Sequence, residues 1–355
     1  MKISIIGGGN LGHTCLSLFS KNKLNVTLIT RNPQMFSKYQ LLKTYDNTET
    51  VDISKATITS NFSAIYGSDI ILCTTPTNTY EQIFKNIKPY ASSSKIGCIY
   101  QSPFIDYTFN RILPNNKLFC FQYVPFQAKV IEYGKSSHIV GIKKNINVAG
   151  DLSNIEQLFG IPMNKCSFLS FILTSSNPIL HMPRYYDMYK NLRNLPSGPY
   201  EQIKFEGSLY RDMNLSSSVI INDIMLEILN IKKKLLEIKP INLDNVVHII
   251  QRVEEQYGNQ VEDYSNIKTM FNTSSMYRKS SIMFRKYPND PMLYPDISHR
   301  HFTDDLLHGL CPIQSLARHL KVDTPTINIC VEWGLNISKL KYKVPVNIYN
   351  YINER

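Results

Sequence analysis

A histidine, an arginine and an acidic pair stand out in the second half of the chain as residues that could move a proton and hold a carboxylate. His181 closes the stretch Asn177–His181, read NPILH, and Arg300 shortly precedes the pair Asp304 and Asp305. A histidine can act as general acid and base, an aspartate can orient it and favour its protonated form, and a guanidinium can clamp a carboxylate with two hydrogen bonds. These residue types predict a proton-transfer site for a substrate that carries a carboxylate.

Each of these residues also has an ordinary structural explanation. Thr303 suits the N-cap of a helix, and Asp304 and Asp305 would then lie in the first turn, where carboxylates are favoured. A single histidine such as His181 is more often a hydrogen-bonded interior side chain than a catalyst, and Arg300 alone could be any surface arginine. The residue types by themselves leave both explanations open.

The first twelve residues predict a dinucleotide-binding loop. Gly7, Gly9 and Gly12 fit the pattern G-x-G-x-x-G between the apolar run Ile3–Ile6 and the helical pattern Leu11–Lys21. In this context the first glycine permits a tight turn, the second lets the backbone approach a pyrophosphate, and the third lets the helix pack closely on the strand. The candidate cofactor-binding residues are Gly7, Gly9, Asn10, Leu11, Gly12, Arg31 and Thr75.

The end of the second predicted strand favours one form of the cofactor. Sites for NAD usually place an acidic residue there, whereas this chain has Arg31 after Thr30. A guanidinium suits a 2′-phosphate, so the sequence predicts NADP(H) rather than NAD(H), with Lys38 as a second phosphate contact. The alternative is that Arg31 stacks on the adenine or faces solvent.

The spacing of apolar residues predicts the elements that position these side chains. An α/β, Rossmann-like dinucleotide-binding domain is expected at residues 1–175, because strand and helix patterns alternate there, and a mostly α-helical substrate and catalytic domain at residues 176–355, where strand signals nearly vanish. The predicted strands are Ile3–Ile6, Val26–Ile29, Ala56–Ser60, Ile70–Thr74, Lys95–Tyr100, Leu118–Phe121, His138–Ile142 and Ile146–Ala149. The predicted helices include Leu11–Lys21, Tyr80–Ile87, Ser217–Ile238, Leu243–Tyr257, Asp304–Leu320 and Pro325–Leu335.

Composition excludes several classes of protein. The net charge is +11, but the basic residues are dispersed and the densest runs, Lys232–Lys234 and Lys339–Lys343, are typical of solvated faces rather than of nucleic-acid sites. No apolar run is long enough to span a membrane. The seven cysteines are scattered without metal-ligand spacing, and no signal peptide precedes the first strand. We therefore expect reduced thiols, no metal centre, no nucleic-acid or membrane partner, and a cytoplasmic location.

Over nearly its whole length the chain resembles the octopine/opine dehydrogenase family. Members carry a nucleotide-binding domain followed by a helical domain, and they join the amino group of an amino acid to an α-keto acid by NAD(P)H-dependent reduction of an imine. The most specific motif is Arg300–Thr326, an arginine before an acidic pair and then a late Thr-Pro-Thr ahead of a helix. The stretches that carry the resemblance are Gly7–Gly12, Val130–Lys135 with Val140–Lys143, Asn177–His181 and Arg300–Thr326.

The resemblance implies a role for each candidate site residue. His181 corresponds to the catalytic histidine of the family, Asp305 to its aspartate partner and Arg300 to the arginine that holds the substrate carboxylate. Asn177 joins Arg300 in the predicted substrate-binding set.

Three departures from the family pattern concern the substrate rather than the fold. Many members have His-Pro where this chain has His181 followed by Met182, and the acidic pair begins with Asp304 rather than a glutamate. The stretch Tyr123–Ala128 also lacks the cysteine-arginine pair of several members.

The predicted function is that of an opine-type dehydrogenase, with an α-keto acid and an amino acid or related amine as substrates and a homodimer as the candidate assembly. One alternative is an NADP-dependent reductase of a 2-keto or 3-hydroxy acid on the same two-domain plan. Such reductases commonly use a lysine of the helical domain, for which Lys190 is the nearest candidate. A second alternative is a non-catalytic NADP(H)-binding sensor. Dependence of NADPH oxidation on an added amine would separate the opine-type dehydrogenase from the reductase.

Overall fold

The computed structural model describes residues 1–44, 47–205, 209–275 and 282–354, and of residues 176 and 205 only the backbone. Two compact units divide the chain, Met1–Phe168 and Leu169–Arg355. The boundary predicted near residue 175 lies close to this division, and the independence of the two units as domains stays a prediction. Among the described residues, no helix has both the length and the apolar character needed to cross a bilayer.

The first unit is built on a central sheet of eight strands in the order β12-β11-β8-β7-β6-β1-β2-β5. Neighbouring strands are parallel except β8 and β11. The central strands are continuous apolar runs because both faces are covered, as in other parallel sheets. The strands of this sheet are β1 (Lys2–Ile6), β2 (Asn25–Ile29), β5 (Thr57–Thr59), β6 (Ile70–Cys73), β7 (Lys95–Cys98), β8 (Lys117–Phe121), β11 (Ile146–Gly150) and β12 (Met163–Cys166). The helices of this unit are α1 (Asn10–Lys21), α2 (Tyr80–Ile87), α3 (Ile105–Ile112) and α4 (Ile155–Phe159).

The same unit holds a second sheet, most of which the sequence analysis missed. Its strands lie in the order β4-β3-β10-β9, and only β10 was predicted. The others bury few apolar side chains, and β3 alternates buried with exposed positions, so they lack the apolar runs by which the central strands were recognised. The strands of this sheet are β3 (Tyr39–Lys43), β4 (Thr48–Asp52), β9 (Phe126–Glu132) and β10 (Ser136–Ile142).

The second unit is mostly helical, as predicted, and it also holds a small sheet that was not predicted. Three short antiparallel strands form a sheet in the order β13-β14-β15. β13 lies far along the chain from β14, and β15 has only three residues, so their pairing was not visible in the sequence. The strands are β13 (Glu201–Phe205), β14 (Ile282–Lys286) and β15 (Leu293–Pro295). The helices are α5 (Ser170–Leu173), α6 (Ser176–Tyr189), α7 (Leu215–Ile238), α8 (Ile249–Tyr257), α9 (Ile267–Thr273), α10 (Cys311–Leu320), α11 (Pro325–Ser338) and α12 (Ile348–Asn353).

A π-helix spanning His301–Leu310 leads directly into α10. At its end the N–H of Cys311 donates to the carbonyl of Leu306, five residues earlier. The prediction that Thr303 is the N-cap is therefore wrong, because the helical segment already begins two residues before it and Arg300 occupies the cap position. The predicted helix Asp304–Leu320 is in fact two elements, and π-helical turns of this kind are frequent at functional sites.

Candidate active site

The second unit brings His181 and Asp305 into direct contact. His181 lies in the middle of α6 and Asp305 on the π-helix, and the two side chains are 3% and 6% exposed. The Nδ1 atom of His181 is 2.6 Å from Oδ2 of Asp305. A carboxylate oxygen is a hydrogen-bond acceptor, so the N–H of Nδ1 donates the hydrogen bond and Oδ2 of Asp305 accepts it. The contact fixes the tautomer and orientation of the imidazole, which is what a general acid and base requires.

The other ring nitrogen of His181 is also hydrogen bonded. Its Nε2 atom lies 2.7 Å from the hydroxyl of Tyr210, and the ring of Tyr210 stacks on Phe271 with centroids 5.3 Å apart. Tyr210 was not predicted from the sequence. It precedes α7 by a few residues, in a stretch without motif or periodicity, so only the folded chain reveals its place.

A second buried histidine packs against the first. The ring centroids of His301 and His181 are 4.1 Å apart, and Nδ1 of His301 is 3.1 Å from the hydroxyl of Tyr185. Burial, followed by the charges of His181, His299 and Arg300, lowers the pKa of His301 well below its usual range. His301 is therefore neutral near pH 7 and serves as a polar packing partner of His181.

Residues of this cluster could also ligate a metal ion. His181, His301 and Asp305 can each offer one ligand atom, and these atoms lie within 4.8 Å of one another. Both ring nitrogens of His181 already have hydrogen-bond partners, Asp305 and Tyr210, which a metal ion would have to displace. The geometry favours an acid–base pair, and the absence of a metal centre stays a prediction.

The two predicted substrate-binding residues are exposed in the same unit. Arg300 directly precedes the buried His301, and no described residue forms a hydrogen bond or ion pair with its guanidinium. Asn177 lies one helical turn before His181 on α6. Both side chains are accessible to a ligand, and their contact with a substrate stays a prediction.

Close packing of the π-helix on α6 sets the distance between His181 and Asp305. A Cβ atom added to Gly309 would lie 2.0 Å from Cγ of Pro178. Pro178 belongs to the first turn of α6, where its missing N–H costs no hydrogen bond, and its ring cannot rotate away. Only a glycine at position 309 therefore allows the two helices to approach this closely.

We expect Gly309→Ala to push the π-helix away from α6. Overpacking of this kind costs about 1–3 kcal/mol of unfolding free energy, and turnover should fall because Asp305 moves relative to His181. Chemical denaturation and initial rates measure the two effects. Thr303→Ala on the same helix is the control and should change neither, since Thr303 is not the N-cap. Unchanged stability and turnover in Gly309→Ala would contradict the packing argument.

In the first unit, the three glycines of the predicted loop have distinct surroundings. Gly7 adopts a φ of +115°, which favours glycine. A Cβ atom on Gly12 would lie 1.8 Å from the carbonyl oxygen of Gly7, whereas one on Gly9 would meet no atom within 4 Å. Gly12 thus permits α1 to approach β1, and Gly9 leaves open space beside the backbone at the N-terminus of a helix, where phosphates bind well.

The hairpin motif at Val130–Lys135 supports this loop. The side chain of Asn10 accepts a hydrogen bond of 2.8 Å from the N–H of Val130, so its contact in the structure is with the hairpin. Nε2 of His13 accepts one of 2.7 Å from the N–H of Gly134. The sequence analysis missed His13, whose buried ring, on the helix that follows the glycines, ties the hairpin to α1.

The remaining predicted cofactor residues border the same loop. The N–H of Gly7 donates to the carbonyl of Ile29 at the end of β2, and Arg31 follows two residues later with an exposed side chain. Leu11 is buried, and Thr75 follows β6 with its methyl group 2.8 Å from the position of a Cβ on Gly7. Lys38 is exposed, with its Nζ atom 5.6 Å from the centre of the Tyr39 ring. The loop thus lies between the ends of β2 and β6, as expected for a Rossmann-like fold.

Comparison with known proteins assigns each part of the chain to a matching family model. Residues 164–338 match the model described as NAD/NADP octopine/nopaline dehydrogenase, alpha-helical domain. Residues 3–140 match the model described as ketopantoate reductase PanE/ApbA. The two models together account for most of the chain.

Curated relatives match over almost the full length of this chain. A tauropine dehydrogenase of Arabella iricolor is 22% identical, over 96% of this chain and 92% of the relative. An opine dehydrogenase of Haliotis discus hannai is 21% identical, over 93% of this chain and 88% of the relative.

Solved structures share the fold. An octopine dehydrogenase in complex with NADH and agmatine superposes with a TM-score of 0.82 at 18% identity, covering 97% of this chain and 91% of that one. A yersinopine dehydrogenase with NADP+ bound gives a TM-score of 0.63 at 12% identity, covering 94% and 90%.

Proposed function

We propose that this chain is a member of the octopine/opine dehydrogenase family of NAD(P)-dependent oxidoreductases acting on CH–NH bonds, and that it uses NADPH to join an α-keto acid to the amino group of an amino acid or a related amine. The observation that carries the proposal is the buried pair of His181 and Asp305, 2.6 Å apart. A histidine held in one tautomer by a carboxylate is suited to the proton transfers of imine formation. The glycine loop of the first unit is suited to a dinucleotide.

The proposed chemistry assigns each polar residue one task. The substrate ammonium gives a proton to His181 and its amine adds to the keto carbonyl; His181 then returns that proton to the hydroxyl that leaves as water, giving a protonated imine. Asp305 stabilises the positive charge that His181 carries in between. Arg300 holds a substrate carboxylate, and Asn177 is the second residue of the proposed binding set. NADPH, when bound, supplies the hydride that reduces the imine carbon.

Imine reduction needs two substrates, which provides the decisive test. We expect purified protein to oxidise NADPH, followed by nicotinamide absorbance in a matrix of α-keto acids against amino acids and amines, only when both are present. Oxidation with a keto acid alone would instead establish the reductase, whose family model matches the nucleotide-binding part of this chain. NADPH binding without oxidation in any combination would indicate a sensor. His181→Ala is the control for contaminating activity.

Arg300 should recognise its carboxylate by geometry as well as charge. Arg300→Lys keeps the positive charge but loses the planar pair of N–H donors. We expect the KM of the carboxylate substrate to rise about tenfold or more, the size of a lost charged hydrogen bond, with NADPH affinity unchanged. Steady-state kinetics measure this. An unchanged KM would mean that Arg300 does not hold the substrate. Arg193→Lys, at a second arginine of the helical unit, is the control.

We propose a preference for NADPH over NADH because Arg31 stands where NAD sites carry an acid. Arg31→Gln should weaken NADPH binding about 10- to 100-fold, as loss of a charged contact implies, and leave NADH binding nearly unchanged. Titration of both cofactors measures the ratio. Lys38→Gln is the matched comparison and should have the smaller effect. Equal affinity of the unaltered protein for NADH and NADPH would overturn the preference.

The proposed setting is the cytoplasm, with a homodimer as candidate assembly. All seven cysteines lie in the described part of the chain, are buried and form no disulfide, which suits a reducing compartment where disulfides are rare. Substrates and cofactor are small molecules, and we propose neither a nucleic-acid nor a membrane partner.

A further inference from the structure

We propose that Tyr210 relays the proton between His181 and the substrate, so that its phenol rather than the imidazole touches the reacting oxygen and nitrogen. The proposal rests on the proposed function, since it assigns the route of a proton that imine formation requires. It adds a residue that neither the sequence motifs nor the family resemblance identify.

Both ring nitrogens of His181 have hydrogen-bond partners. Nδ1 donates to Asp305 at 2.6 Å, and Nε2 faces the hydroxyl of Tyr210 at 2.7 Å. The His181 side chain is only 3% exposed. A proton that enters or leaves at Nε2 therefore passes through the hydroxyl oxygen of Tyr210 as the structure stands.

Arg184 holds the backbone on both sides of Tyr210. The buried guanidinium of Arg184 donates from Nε to the carbonyl of Leu209 at 3.2 Å and from Nη2 to that of Asp212 at 3.1 Å. Its Nη1 donates to Ser217 at the start of α7. These bonds keep this backbone in place, because breaking them would leave buried donors of Arg184 unpaired. A proton relay needs no movement of this backbone.

Arg184 also couples this segment to His181. The two residues lie three positions apart on α6, and residues at that spacing share one side of a helix. The helix that carries the imidazole thus also fixes the backbone on both sides of Tyr210. The ring of Tyr210 stacks on Phe271, which restricts the rotation of the tyrosine side chain.

The proton inventory of imine formation closes along this route. The substrate ammonium gives one proton to the oxygen of Tyr210 while the phenol proton passes to Nε2 of His181. The amine nitrogen then bonds to the keto carbon, and a further proton moves from nitrogen to oxygen to give the carbinolamine. Nε2 returns its proton to Tyr210 as the phenol protonates the hydroxyl, the C–O bond breaks, and water leaves, giving a protonated imine that keeps the third proton of the ammonium group. No proton is gained or lost overall, and no oxidant is needed.

The surroundings of Tyr210 favour a concerted transfer over a free phenolate. Burial, and then the charge of Asp305, raise the pKa of the phenol above its usual range. A phenolate would therefore be costly, and the oxygen must gain one proton as it gives up the other. Both proton transfers at the Tyr210 oxygen then occur in one step, so replacing water with deuterium oxide should slow the reaction strongly.

Tyr210→Phe tests whether the hydroxyl relays the proton or merely blocks Nε2 of His181. Tyr185→Phe is the matched control because the Tyr185 hydroxyl also bonds a buried imidazole. A relay predicts that Tyr210→Phe lowers kcat about 10²-fold, within the usual range for a lost proton-transfer group, with little change in KM and a smaller solvent isotope effect. Tyr185→Phe should stay near wild type. A Tyr210→Phe variant with unchanged kcat, or with a lower KM, would overturn the relay, since the hydroxyl would then merely block Nε2.

A second measurement does not depend on turnover. In protein carrying ¹⁵N-labelled histidine, the Nε2 resonance of His181, assigned by its loss in His181→Ala, should shift in Tyr210→Phe and not in Tyr185→Phe. No shift would overturn the contact and the relay with it. Wild-type protein without activity on any keto acid and amine pair contradicts the proposed function, whereas active wild type with a fully active Tyr210→Phe contradicts the relay alone.

Discussion

Replacing His181 with alanine is expected to lower the rate of reductive condensation about 10²- to 10⁴-fold, the range typical of a lost general acid and base. The two ring nitrogens of His181 contact the carboxylate of Asp305 and the phenol of Tyr210. NADPH binding should be unchanged, because the glycine loop belongs to the first unit. Steady-state rates and a fluorescence titration of NADPH measure the two quantities.

The partner of His181 provides the control for this prediction. Asp305→Asn keeps the size of the side chain but removes the charge that stabilises the imidazolium, and it should lower kcat in the same direction. The double variant should be little worse than His181→Ala alone, because residues that act as one unit are not additive. Near-wild-type turnover of His181→Ala would contradict the mechanism, and full additivity would contradict the pairing.

Replacing Gly12 with alanine is expected to abolish tight NADPH binding and to destabilise the first unit. The new Cβ would lie 1.8 Å from the carbonyl oxygen of Gly7, so α1 and β1 would have to separate. Forced separations of this kind cost about 1–3 kcal/mol or more. Thermal unfolding and cofactor titration measure both effects. Wild-type stability would mean that the close approach of α1 to β1 is not needed.

Gly9→Ala is the matched variant for the cofactor itself. A Cβ at this position meets no atom within 4 Å and Gly9 has an ordinary φ, so unfolding should be close to that of the unaltered protein. NADPH affinity should nevertheless fall, because the methyl group would occupy the space into which we place the pyrophosphate. Unchanged affinity would show that the phosphates bind elsewhere.

Much of the first unit could be predicted from the sequence because its signals are local. The glycine spacing lies within six residues, and strands buried on both faces are continuous apolar runs such as β1 and β6. The second sheet escaped prediction because β3 and β9 bury only some of their side chains, and their pairing depends on partners elsewhere in the chain. The π-helix escaped because apolar periodicity does not distinguish it from the α-helix that follows.

The sequence by itself determined the α/β unit and the helical unit, and through the family resemblance it predicted His181 and Asp305 as the acid–base pair. Only the tertiary structure decided that these two side chains touch across 124 positions of the chain, that Gly309 sets their approach, and that Tyr210 occupies the second nitrogen of the histidine. The physical reason is that periodicity and turn propensity act between near neighbours. Hydrogen bonds and side-chain packing join residues of distant sequence position, and they exist only once the chain has folded.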